Sequence, residues 1–182
     1  MLDNRNYQYA AWGCIAAVAA GTAWELFQAD WSGVLFLGVF LIAAILFVSL
    51  RRRLPALFSF LFALAALING AGWVFDFWDR VTGWDPIAHG FTTFAGALAV
   101  GFLVFHSSTL HFRDHRWSYA VTIAAYGLAL GGLWEMFEWM VGVEQSYQGV
   151  VLDLTMDFLG GMIAGGVAAW AVENQPREQL SA

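Results

Sequence analysis

The sequence has no lysine, a single cysteine and three prolines, and only 12% of its 182 residues are charged. Each shortage excludes something. The lone Cys14 cannot form an internal disulfide. Eight cations, all arginine, against 14 acids leave no basic face for a phosphate backbone, so nucleic acid is not an expected partner. Without lysine there is no retinal Schiff base, and the chain has no phosphate-cradling glycine loop, cysteine pair or nucleophile elbow. So little charge also excludes a disordered tail and an ordinary soluble domain.

Apolar residues make up 60% of the chain, and the mean hydropathy is +0.62. A spanning helix needs about 20 mostly apolar residues. Six such runs lie at about Tyr7 to Gln28, Gly33 to Leu50, Leu57 to Phe75, Pro86 to Phe105, Ser118 to Val141 and Val150 to Val172. The expected fold is therefore all-α, a polytopic transmembrane bundle of about six helices that uses residues 1–182 as one integral-membrane domain in the lipid bilayer. Small residues at Ala19 to Ala23 resemble an export signal, but Asp3 and a single Arg5 precede them, so a retained helix is expected.

Arginine-rich short loops stay cytoplasmic. Six spans place Arg5, Arg51, Arg52, Arg53, Arg113, Arg116 and Arg177 on one side and only Arg80 on the other, so both termini are expected inside. Most acids sort the opposite way: Glu25, Asp30, Asp76, Asp79, Asp85, Glu135, Glu138, Glu144, Asp153 and Asp157 fall in or near the outer half. Trp24, Trp31, Trp73, Trp78, Trp84, Trp134 and Trp139 crowd the same level, as an interfacial aromatic belt does.

Three helix ends carry paired candidate ligands at helical spacing: Asp85 with His89, Glu135 with Glu138, and Asp153 with Asp157. Residues three or four apart share a helix face. In an antiparallel bundle all three pairs reach the outer side, His89 and Asp157 on the order of 6 to 10 Å below the helix entrance. A carboxylate at such depth costs about 2.5 to 3.5 kcal/mol even on a lenient scale, and several together repel one another. Since Arg80 is the sole outer cation, protons or metal ions must neutralise them. Carboxylates with one imidazole form a hard site for a divalent metal ion, Mn, Mg, Fe, Ca or Zn, with room for one or two.

Plainer readings exist for single residues. Asp85 before Pro86 has the form of an N-cap followed by a first-turn proline. Asp153 suits the wet entrance of its helix, and Asp30 and Glu144 read as solvated loop acids. Gly161 and Gly165, in GxxxG spacing, read as close helix packing. His106, His111 and His115 read as a solvated inner loop. The run Trp24-Glu25-Leu26-Phe27 echoes Trp134-Glu135-Met136-Phe137, an echo too short to establish duplication, although Glu25 has the position to join the outer acids.

Asp85, His89, Trp134, Glu135, Glu138, Trp139, Gln148, Gly149, Asp153 and Asp157, in that order and spacing, resemble the polar positions of the YjdF family of bacterial inner-membrane proteins. The likeness covers roughly Trp84 to Ala169. The chain departs from the family pattern at Val150, Leu152 and Phe158, where Asp, Trp and Met are expected. The resemblance implies a small multispan protein of the bacterial cytoplasmic membrane and brings no reaction with it.

Three functions compete. One is a membrane-embedded metal site open to the periplasm, with a metalloenzyme acting on a lipid, phosphoryl or other small-molecule substrate as its catalytic form. Another is a proton- or cation-coupled transporter or channel. The last is a non-catalytic scaffold. The lower parts of the spans contain almost no ionisable side chain, which ranks the bound cation above transport.

Overall fold

The computed structural model describes residues 2–50, 53–105, 112, 114–142 and 146–174. His106, His111, Arg51, Arg52, Arg113, Glu144, Arg177 and Glu178 lie outside these residues. The described residues form helices and no strand: α1 (Arg5–Gln28), α2 (Trp31–Ser49), α3 (Ala56–Val74), the short α4 (Phe77–Arg80), α5 (Trp84–Val104), α6 (Arg116–Val141) and α7 (Tyr147–Asn174). All but α4 are long and apolar enough to cross a membrane. By contact the chain divides into two compact units, residues 1–88 and 89–182.

In the first unit α1, α2 and α3 pack on one another. Asn4 caps α1 by accepting from the Asn6 N–H. Ala29 ends that helix at φ 59, in the left-handed region that an L side chain adopts at a cost. Asp30, expected as a solvated loop acid, instead caps α2, accepting from the Ser32 and Gly33 N–H groups at 3.1 and 3.2 Å. The α3 entrance has no cap of its own at Pro55, and its first donor is met from far along the chain: the Asp3 carboxylate accepts from the Ala56 N–H at 3.0 Å. Glu25 is buried, its aliphatic stem laid against Gly33, where a Cβ would come within 2.8 Å of Glu25 Cγ.

The α5 helix begins two residues before the expected Pro86. The Ile87 N–H donates to the Gly83 carbonyl, so Gly83, at φ +82, holds the capping position. Asp85 is thus a first-turn residue rather than the N-cap that the Asp-Pro pair suggests.

Glycines dictate how the second unit closes. The α6 and α7 backbones approach so nearly that a Cβ on Gly127 would lie 2.6 Å from the Gly161 Cα, and one on Gly161 2.8 Å from the Ala124 carbonyl oxygen. Gly165 sits against the Ala120 carbonyl and Gly160 against the Gly90 carbonyl of α5. With lipid around it, a helix pair gains nothing from hiding apolar surface, so van der Waals contact of this kind holds the pair. At the end of the unit opposite His89, aromatic rings fill the interior: Phe112 stacks on Tyr119 at 4.7 Å, and Phe105 meets Tyr126 edge-on at 5.6 Å. Arg116 pairs there with Glu173.

Gly165 and Gly166 are neighbours with opposite surroundings, since a Cβ added to the latter would meet nothing within 4 Å. Gly165→Ala is expected to destabilise the detergent-solubilised protein by about 1–3 kcal/mol. Gly166→Ala should be neutral or stabilising by up to about 1 kcal/mol. Thermal unfolding of the two variants side by side checks the seam.

Candidate functional site

The second unit brings its acids together at one end. Because α5, α6 and α7 run alternately, the start of α5, the end of α6 and the start of α7 meet there. His89 Nδ1 lies 3.4 Å from Asp157 Oδ2 on α7 and 3.6 Å from Glu135 Oε1 on α6. One ligand atom from each of His89, Glu135 and Glu138 falls within 4.8 Å of the other two. A ligand atom of Asp153 lies within the same distance of one on His89.

Burial separates these groups from ordinary surface acids. Asp157 is 0% exposed, Asp153 3%, His89 7% and Glu135 8%, and Glu138 is half-buried. Asp153 is therefore not at a wet helix entrance: α7 starts at Tyr147, earlier than the expected Val150, and places Asp153 beyond its first turn. At ~1.5 Å per residue α7 runs ~42 Å, longer than a ~30 Å hydrocarbon layer. Asp85 is half-buried one turn before His89 on α5, and Asp85 and Glu25 both belong to the first unit.

Two residues absent from the expected set complete the geometry. Thr93 donates from Oγ1 to Asp157 Oδ1 at 2.5 Å, and it is itself buried. The other is Gly131 on α6, where any Cβ would collide with the Asp157 carboxylate. Extending the Asp85–His89 stripe by one more turn reaches Thr93, so spacing alone held that signal. Nothing local marks Gly131, whose role exists only because α7 lies against it.

Asp157 thus has a hydroxyl donor and a nearby imidazole. Glu135 differs: neither of its carboxylate oxygens has a hydrogen-bond partner among the described residues. A buried, ionised and unsatisfied carboxylate is costly. A positive guest, or a proton, relieves that cost. Two carboxylates from different helices facing one ring nitrogen form a donor set that suits a hard or borderline dication.

A family model described as "Predicted membrane protein (DUF2238)" matches residues 7–174. The chain belongs to this family. YjdF-like is the family's known name, the one that the Asp85 to Asp157 pattern resembles. The match takes in all six long helices and every acid and imidazole of the cluster. No curated protein and no solved structure matches the chain. As a DUF2238 member it is an integral membrane protein with a carboxylate and histidine group inside its helical second unit.

Chelation of all divalent ions tests the repulsion within the cluster. Under that condition Glu135→Gln is expected to raise stability by on the order of 1 kcal/mol, because it removes one of several adjacent negative charges. A higher unfolding midpoint than the unsubstituted protein in the same chelator is the expected reading.

Proposed function

We propose that this protein binds a divalent cation within the membrane, at a site built from His89, Glu135, Glu138, Asp153 and Asp157, with Asp85 one helical turn before His89 on α5. The observation that carries the reading is Glu135. It is buried, it has no hydrogen-bond donor among the described residues, and it lies 3.6 Å from the same imidazole nitrogen that faces Asp157. A dication placed among these atoms supplies the missing charge and takes lone pairs from three helices at once.

The packing favours a standing site over a transport step. Gly127, Gly161 and Gly165 hold α6 and α7 at backbone distance, which leaves no room for sliding without overlap. Toward the opposite end, residues 90–104, 117–134 and 158–172 contain no Asp, Glu, His, Lys or Arg, and aromatic rings fill the interior. An ion leaving the cluster inward would meet no replacement ligand of that kind.

Elemental analysis of detergent-purified protein is expected to find bound dication in a fixed ratio to protein. His89→Ala and Glu135→Ala should lose it. A metal content unchanged in both variants overturns the reading.

The arginine distribution favours a cytoplasmic-membrane protein with both termini inside and the cluster facing the periplasm. A reporter active only in the cytoplasm, fused after Ala182, is expected to be active. A reporter active only in the periplasm should be silent at that position.

A further inference from the structure

Thr93 does more than satisfy a buried acid. Its hydroxyl is fixed from two sides: Oγ1 donates to Asp157 Oδ1, while its methyl group faces α6 at Gly127, where a Cβ would come within 3.2 Å of it. Asp157 in turn lies against Gly131. Oδ1 of Asp157 thus accepts a hydroxyl proton, while Oδ2 lies 3.4 Å from His89 Nδ1.

The geometry points to Thr93 as the residue that sets ion selectivity, by making Asp157 a one-oxygen ligand and so favouring a first-row transition dication such as Mn2+ over Ca2+. This inference rests on the cation reading above. Ca2+ gathers six to eight oxygens and commonly takes carboxylates by both oxygens at once. A smaller ion of lower coordination number is content with one oxygen per carboxylate and accepts an imidazole nitrogen more readily. Here an imidazole nitrogen faces two carboxylates, and one oxygen of the fully buried acid already accepts from Thr93. Thr93 is a positioning residue: it acts through Asp157 rather than on the ion.

Purified full-length protein, stripped by chelator and dialysed against Mn2+ or Ca2+ separately, gives two dissociation constants by elemental analysis. In the unsubstituted protein Mn2+ should bind more tightly, by about tenfold or more. Thr93→Val keeps the shape and removes the donor, and should narrow the Mn2+ to Ca2+ ratio by about tenfold. Thr93→Ser restores the hydroxyl and should restore the ratio. If the valine variant is not recovered folded, Thr93→Ala also lacks the donor and has the same expected outcome. A ratio that ignores position 93, or Ca2+ bound as tightly as Mn2+ at the start, overturns the selectivity alone. No bound ion of either kind in the unsubstituted protein overturns the cation reading, and the selectivity with it.

Discussion

A buried carboxylate with no hydrogen-bond donor is among the costliest groups a membrane protein can contain, and among the described residues the second unit holds one, Glu135, beside the buried acids Asp153 and Asp157. Asp157 is completely buried, and Glu135 nearly so. The arginines whose partners are described are committed elsewhere: Arg80 pairs with Asp76 at 2.9 Å, and Arg116 pairs with Glu173 at the far end of α6 and α7. The imidazole of His89 faces two of the acids at close range, Asp157 at 3.4 Å and Glu135 at 3.6 Å. One imidazole facing two carboxylates is the imbalance on which the proposed cation site rests.

Much of the surrounding structure follows from bringing the acids together. Helices in lipid approach closely only where side chains are absent, and α7 has glycine on two faces. Gly160 admits the α5 backbone, while Gly161 and Gly165 admit that of α6. Closing α7 against both neighbours carries Asp157 to Gly131, within reach of Thr93 and His89. The close packing and the buried acids are one arrangement, since larger residues at those glycines would separate the acids as well as the helices.

The two ends of the second unit differ in chemistry. One collects acids and an imidazole. The other is filled by Phe105, Phe112, Tyr119 and Tyr126 and closed at its rim by the Arg116–Glu173 pair. The carboxylate and histidine group thus sits at one end of this unit of the DUF2238 chain.

The number of long helices was written in the sequence, although the short α4 was not, because a segment without water must satisfy its own backbone and runs of about 20 apolar residues do so as helices. The pairing of Asp85 with His89, Glu135 with Glu138 and Asp153 with Asp157 was equally readable, since helical periodicity alone decides which residues share a face. Local signals misled where the deciding partner lay elsewhere. Asp85 resembled an N-cap until Gly83 took that place, Asp30 resembled a free loop acid until α2 began beside it, and Asp153 resembled an entrance residue until α7 extended to Tyr147. Tertiary structure alone decided the rotation and depth of one helix against the next. Periodicity defines a face but not what it meets, and only the close approach of α5, α6 and α7 at their glycines set Thr93, Gly131 and His89 around a single carboxylate.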